Sequence, residues 1–323
     1  MPMLTRAAAS TALAAIAIAA GFIGPCAAAD DYPARPVRVI VGFGPGSTAD
    51  YSARIVGQKL NQKFGQQFVV ENRTGAGSNL AAEFVARAPK DGYTLLMGTV
   101  ANTINATISK LSFDFAKDFA PVAPVSTVPA VLVANPTTGF RSVADLVAAA
   151  KAKPQPMLFG SSGVGSVLHV YGELLNSSAG IKLAHVPYPG SAQALTDLLA
   201  GRISVMFSPA PTVLPHIQAG KLTALAATRA GVLPNLPSMA DAGYKGFEAG
   251  LWFGMLAPAG TPREIVGKLS VGINEALKMD DVVQALRKQG FAPLGGTPDA
   301  FSGYIKSEIA QWARVAQSAG LKK

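Results

Sequence analysis

The chain is 323 residues long, with 28 Lys and Arg against 19 Asp and Glu, a formal charge of +9 and one cysteine. A lone cysteine excludes an internal disulfide and a thiolate metal cage. The basic residues stand singly, as at Lys59, Lys63, Arg87, Lys110, Lys182, Arg202 and Lys221, without the stripe of cations and stacking aromatics that nucleic acid requires; such a surface suits anionic solutes instead.

The N-terminus comes first in chain order. Met1–Arg6 carries one Arg, Ala7–Ile23 is apolar, and Ala27-Ala28-Ala29 supplies the small residues after which a signal peptidase cuts. The pattern predicts a leader over residues 1–29, removed on export to the periplasm together with Cys26, and a mature chain beginning at Asp30. About 17 apolar residues lie near the lower limit for a membrane span, no stop-transfer charges follow, and Pro25 before Cys26 does not suit a lipoprotein. What remains, residues 30–323, reaches the roughly 250–300 residues at which a single core stops growing, so two domains are expected.

Short apolar runs at Val37–Val41, Phe68–Val70 and Tyr93–Met97 have buried-strand character, and Ala49–Phe64 and Asn79–Ala88 carry helical periodicity between them. The order βαβαβ implies a parallel sheet with helices on both faces and ligands at the carboxyl ends of its strands. A second series follows Pro136: helix Val143–Ala150, strand Met157–Phe159, helix Val167–Leu175, strand Leu183–Val186, helix Ala192–Leu199, and strands Ile203–Phe207 and Leu222–Ala227. The stretches Val122–Ala134, interrupted by Pro124 and Pro129, and Leu251–Ala257 join the two series, and helices at Arg263–Leu277 and Ala300–Ala319 finish the chain.

Three strand-to-helix junctions are made almost entirely of Gly and small hydroxyl residues: Gly42–Asp50, Gly75–Asn79 and Gly160–Ser166. Backbone N–H groups at such helix starts form a ready anion site. None of the three holds a Lys, Cys or His, so binding is expected rather than group transfer. The dinucleotide fingerprint fails because Ser47 stands where a third glycine belongs, and Gly163-Val164-Gly165-Ser166 misplaces its serine for a nucleophile elbow. His169, His185 and His216 lack metal-site spacing, so no metal centre is expected.

Several ordered segments carry a family resemblance. They are Tyr32-Pro33 through Val41, Gly46–Asp50, Val70-Glu71-Asn72-Arg73 with Gly75-Ala76-Gly77, Asp91–Leu96, His185-Val186-Pro187-Tyr188, Leu198–Gly201 and Leu256–Pro262. Together they resemble the periplasmic receptors of tripartite tricarboxylate transporters, the Bordetella uptake gene (Bug) family, across essentially the whole mature chain. The resemblance implies an α/β, two-lobed type II periplasmic binding protein, each lobe a mainly parallel sheet flanked by helices, with a ligand cleft between lobes. Residues 30–127 plus 253–323 form one expected lobe and 128–252 the other. It further implies a monomer that closes on a small di- or tricarboxylate or aromatic acid and presents it to a membrane transporter, without cofactor or catalysis.

The candidate ligand residues are Phe43, Gly46, Ser47 and Thr48 in the first loop; Gly77, Ser78 and Asn79 in the second; Thr99 and Asn102 after the third strand; and Ser161, Ser162, Gly163, Gly165, Ser166 and His169 in the third loop. Tyr188, Ser208 and Trp252 complete the set, Tyr188 through its hydroxyl and Trp252 as a wall at the return joint. Gly42 and Thr74 stand where the family usually has Pro, and Ser208 where it often carries Asp, which disfavours a cationic amino-acid ligand. Two further functions fit the same residues: a ligand sensor for a two-component system, and a serine hydrolase using Ser162 or Ser166 with His169.

Overall fold

The structure, a computed structural model, describes residues 32–248 and 250–318. The expected leader and the cut after Ala29 lie outside the described residues. Strands β1 (Val37–Val41), β2 (Phe68–Asn72), β3 (Thr94–Thr99), β4 (Phe119–Val128), β10 (Leu251–Pro258) and β11 (Ala292–Pro293) form one sheet in the order β11-β4-β10-β3-β1-β2. Strands β5 (Ala130–Ala134), β6 (Leu158–Ser161), β7 (Ala184–Pro187), β8 (Val205–Pro209) and β9 (Thr223–Ala227) form the second, in the order β7-β6-β8-β5-β9.

The two sheets share one plan. In each, the first strand lies between the second and third as parallel neighbours, and a strand arriving from the other half inserts antiparallel beyond the third: β10 beside β3, and β5 beside β8. The helices are α1 (Thr48–Phe64), α2 (Asn79–Ala86), α3 (Val100–Ile108), α4 (Val143–Ala152), α5 (Val167–Ala179), α6 (Ser191–Leu199), α7 (Ala210–Gln218), α8 (Arg263–Ala276), α9 (Asp280–Lys288) and α10 (Pro298–Ser318). This is the mixed α/β architecture with two helix-flanked sheets, but neither sheet is mainly parallel as expected: β2-β1-β3 and β7-β6-β8 pair parallel, whereas the crossing strands β10 and β5 bring β4, β11 and β9 into antiparallel ladders. Among the described residues no helix is long and apolar enough to cross a membrane.

The chain passes between sheets at Pro129, which separates β4 from β5, and returns into β10. Prolines cannot donate to a ladder, and the β4–β10 register slips where Gly254 faces Pro124 and Leu256 faces Pro121. The strand therefore runs on through Pro121 and Pro124 as an irregular ladder, where the sequence suggested interruption at Pro124. All eight residues of β10 are buried. On its outer side α10 contributes Trp312, whose ring lies 6.1 Å from Tyr171 of α5, with Phe207 and Phe247 stacked beyond. This aromatic group fastens the C-terminal helix to α5 and β8 of the second sheet's half.

Three helices and a strand were not visible in the sequence pattern: α3, α7, α9 and β11. Helix α3 (VANTINATI) is rich in poor helix formers, yet Thr99 and Asn102 close a capping box that starts it. Helix α7 carries Pro211 in its first turn and Pro215 inside. The N–H that Pro215 lacks would have bonded the carbonyl of Pro211, so only one internal bond is lost.

Candidate functional site

A small cavity, open to solvent at its mouth, lies where the carboxyl ends of the strands of both sheets face one another. Its wall is built from the starts of five helices. Ser47, Thr48 and Ala49 begin α1; Thr99, Val100 and Ala101 begin α3; Ser166, Val167 and Leu168 begin α5; Gly190 and Ser191 begin α6; and Pro209 precedes α7. Phe43, Ser162, Leu251 and Phe253 fill the spaces between them, and among the described residues no charged side chain lines the cavity.

Each helix start points N–H groups, and the positive end of its dipole, at this space. The cap side chains take only some of those donors: Ser47 Oγ accepts Asp50 N–H (3.2 Å), Thr99 Oγ1 accepts Ala101 N–H (3.3 Å), and Ser166 Oγ accepts His169 N–H (3.3 Å). The N–H groups of Thr48, Ala49, Val100, Val167 and Leu168 have no intrahelical acceptor. The cavity therefore offers positive potential from dipoles and neutral donors within a largely apolar wall.

On the first-sheet side the loop is tied to a buried carboxylate. Asp50 Oδ2 accepts Gly46 N–H (3.0 Å) and Arg54 Nε (2.9 Å), while Oδ1 accepts Asn72 Nδ2 (2.9 Å), which also donates to Phe43 O (2.8 Å). Burial pushes the Asp50 carboxyl up, but the bonds from Arg54, Gly46 and Asn72 outweigh it and hold it below its ordinary value. Beside it, Gly75, Ala76, Gly77 and Ser78 form a run of four residues with positive φ, Ala76 at 46° and Ser78 at 76°. Such conformations cost non-glycine residues free energy and concentrate at functional sites. A Cβ on Gly42 would meet Ser78 Oγ at 2.0 Å, so glycine is required there for close approach.

On the second-sheet side the loop rests on two stacked histidines. The His169 and His185 rings are 4.1 Å apart, and His185 stacks in turn on Phe159 (4.9 Å). His169 Nδ1 accepts Gly165 N–H (3.4 Å); His185 Nε2 and Ser161 Oγ are 2.6 Å apart; and Ser161 Oγ accepts Gly163 N–H (3.1 Å). Burial, reinforced by His169, lowers His185 to about 4. Burial also lowers His169, against a raising effect from Glu173. Both rings are therefore neutral near pH 7.

Of the residues expected from sequence, Phe43, Ser47, Thr48, Thr99, Ser162 and Ser166 line this cavity. Gly77, Gly163 and Tyr188 line an adjoining depression that shares Phe43 and Ser162 with it. Gly46, Asn102, Ser161, Gly165 and His169 lie behind the wall, holding the loops and caps. Ser78, Asn79 and Ser208 are buried, and Ser78 Oγ, Asn79 Oδ1 and Ser208 Oγ form no hydrogen bond with groups of the described residues. The Tyr188 hydroxyl, expected to reach the ligand, instead donates to Asp197 (2.7 Å).

Trp252 is not a wall. Strand alternation turns Leu251 and Phe253 to the cavity and Trp252 to the opposite face, where it packs edge-on to Phe301 and donates to Glu308 Oε2 (2.9 Å), which also accepts from Trp312 (3.1 Å). The serine–histidine pairing considered for a nucleophile is not formed: Ser166 Oγ donates to Gly163 O (2.7 Å) while the His169 ring accepts from Gly165. The lining residues not expected from sequence are Ala49, Val100, Ala101, Val167, Leu168, Gly190, Ser191, Pro209, Leu251 and Phe253. Thr99 followed three residues later by Asn102 was the one signal available for the α3 start.

Residues 52–321 match the tripartite tricarboxylate transporter family receptors (TctC). The chain belongs to this family. Its receptors are periplasmic solute-binding proteins. The chain is similar to Protein BugT of Bordetella pertussis, 38% identical over 317 residues that cover 96% of this chain and 97% of that one. Two solved structures from Rhodopseudomonas palustris are also similar. Rpa4515 with adipate has 37% identity and a TM-score of 0.84, covering 90% of this chain and 98% of that one. MatC (Rpa3494) with bound malate has 30% identity and a TM-score of 0.83, covering 88% and 99%.

Proposed function

We propose that this receptor binds a small carboxylate in the cavity between its two sheets and delivers it to a tripartite tricarboxylate-type membrane transporter. The observation that carries this reading is the convergence of five helix starts on a cavity lined, among the described residues, by no charged side chain. Backbone donors and dipoles bind an anion without a buried cation. Hydrogen bonds to a charged group contribute about 1.5–3 kcal/mol each, so a few N–H groups suffice for a ligand that must later be released.

Ser47, Thr48 and Thr99 hold one carboxylate at the α1 and α3 starts, and Ser162 and Ser166 hold a second polar group on the facing side. Phe43, Leu251 and Phe253 cover the ligand's apolar body. The similarity to Rpa4515 with adipate and MatC with malate favours a dicarboxylate, and Ser208 leaves a ligand ammonium without a counter-charge.

The two halves, residues 30–127 with 253–323 and residues 128–252, close on the ligand as lobes of a clamshell, and the closed form is what the transporter recognises. The mature receptor begins at Asp30, acts as a monomer and performs no catalysis. Intact mass of periplasmic material tests the first point: a retained Met1 or a lipidated Cys26 contradicts it.

Thermal-shift screening of the chain from Asp30 against dicarboxylates, aromatic acids, nicotinate-like acids and acidic amino acids tests the ligand class. A dicarboxylate at a hundred times its Kd should add about 2.7 kcal/mol of stability, a shift of several degrees. Stabilisation by acidic amino acids alone would overturn the assignment of Ser208 as excluding an ammonium.

A further inference from the structure

Asn105 is buried on α3, one turn beyond Ala101, and takes no part in lining the cavity. The two protons on its Nδ2 are shared among Ala101 O in its own helix (2.8 Å), Gly165 O across the cleft (3.1 Å) and, at 3.4 Å, Gly77 O, while its Oδ1 accepts from Ser109 (3.0 Å). The carbonyls of two glycine loops, one from each sheet's half, thus converge on one amide. The loops meet backbone to backbone there. A Cβ on Gly77 would lie 3.2 Å from Val164 O and from the Gly165 carbonyl carbon, and one on Gly165 would lie 2.4 Å from Asn105 Oδ1.

We infer that Asn105 is a positioning residue that clasps the two halves in the closed arrangement. The bond to Gly165 O crosses from a helix of the first sheet to a loop of the second and exists only when these loops touch. Helix α3 joins the clasp to the ligand site: its first turn, Val100 and Ala101, lines the cavity, and the next turn carries Asn105. A ligand that settles against the α3 start therefore orders the helix that holds the lobes together. Both loop carbonyls are screened from water at this contact, so opening the clasp without solvating them leaves buried acceptors unpaired. Every group in the clasp belongs to the protein, so it favours closure without ligand.

This inference rests on the two-lobe reading above but not on which carboxylate binds, and its test needs no ligand. Nitroxide labels at Lys90→Cys and Lys182→Cys, in the chain from Asp30 with no carboxylate added, report the distance between halves by pulsed electron resonance. The wild-type background should show a short-distance population, and Asn105→Ala should lower the ratio of short to long by about 5- to 10-fold, the worth of one net hydrogen bond. Asn105→Asp should behave like the alanine variant at pH 7, where its carboxylate faces carbonyl oxygens. It should recover the short distance on acidification, when the protonated carboxyl donates to Gly165 O. The acid series is compared with wild type at each pH, which cancels titration of His169 and His185 beside the loop.

A merely structural asparagine would not show that acid recovery. Identical distributions for wild type and Asn105→Ala, absence of a short population in wild type, or no pH dependence in Asn105→Asp would each overturn the clasp. A dicarboxylate that binds without altering any distance would instead count against the clamshell itself.

Discussion

The two sides of the cavity share a sheet plan but hold their anion loops differently. The first-sheet loop is fastened by Asp50, a carboxylate with three donors on it, and by the capped starts of α1 and α3. The second-sheet loop rests on the neutral His169–His185 stack, and two of its three helix starts, those of α6 and α7, have no side-chain cap. An ion-anchored loop keeps its shape for as long as its carboxylate stays ionised. A loop on stacked imidazoles keeps its shape only while both stay neutral. The first side is therefore the fixed seat and the second the adjustable one.

The largest expected effect is at the point where the two sides touch. Gly165 has φ +77° and no room for a Cβ, whereas Gly46 has the same φ with nothing within 4 Å. Left-handed backbone costs a residue about 1–2 kcal/mol and overpacking about 1–3 kcal/mol. Backbone strain is common to the free and bound forms, but the clash with Asn105 arises where the two sides touch, so Gly165→Val should weaken ligand binding about 10- to 100-fold, about 1.4 kcal/mol being a factor of ten. Gly46→Ala should lose about 1–2 kcal/mol of stability from strain alone and keep nearly the wild-type affinity. Calorimetric titration with the carboxylate found by screening decides between them, and equal affinities of Gly165→Val and wild type would reduce the second loop to a helix cap.

Asp50→Ala comes next. It leaves Gly46 N–H, Asn72 Nδ2 and Arg54 without their acceptor and should cost about 2–3 kcal/mol of stability. His185→Phe preserves the stacking on Phe159 and removes one contact to Ser161, so its cost should be near 1 kcal/mol. Urea unfolding of both variants checks the ranking. A larger loss for His185→Phe would reverse the assignment of the fixed and adjustable sides.

Acid separates the sides without mutation. His185 is depressed to about 4 in the folded state from an ordinary value near 6.5. The unfolded chain binds that proton first, so the stability from a neutral His185 is complete above about pH 6.5 and is lost as pH falls toward 4. Asp50 is also depressed, but as an acid: its contribution is complete above the ordinary carboxylate range and is lost only below it. At pH 4.5, hydrogen exchange should accelerate at Leu158–His169 before it does at Val37–Asp50. An imidazole signal for His185 titrating near 6.5 would remove the basis for this asymmetry.

Much of this was legible in the sequence, for identifiable reasons. Strand β1 and the starts of α1 and α5 stand out because a short apolar run is followed by Gly residues and a Ser cap, a local signal. Helix α3 does not stand out, because its β-branched and Asn residues have low helix propensity and its start is fixed by the reciprocal Thr99–Asn102 bonds. Gly190 and Pro209 give no cap side chain to recognise. The misplacement of Trp252 has another cause. With both faces of β10 buried, the strand shows no polar–apolar alternation, and nothing local says which face turns toward the cavity. Asn105 was invisible for a similar reason: its partners lie 28 and 60 residues away.

The smallest expected effect compares the two serine caps. Ser47 Oγ accepts one bond, from Asp50 N–H at 3.2 Å. Ser166 Oγ accepts His169 N–H at 3.3 Å and also donates to Gly163 O at 2.7 Å, so it fixes the loop as well as the helix. Losing a cap costs about 1 kcal/mol, and the second bond adds about 1 kcal/mol. Ser47→Ala should therefore lower stability by about half as much as Ser166→Ala. Ligand affinity should follow the same order, because the α1 start keeps the Asp50–Gly46 bond when its serine is gone, while the loop before α5 loses its tie at Gly163. Equal costs in denaturant titrations, with equal affinities, would mean that the His169–His185 stack holds the second loop without Ser166 and is itself the anchor on that side.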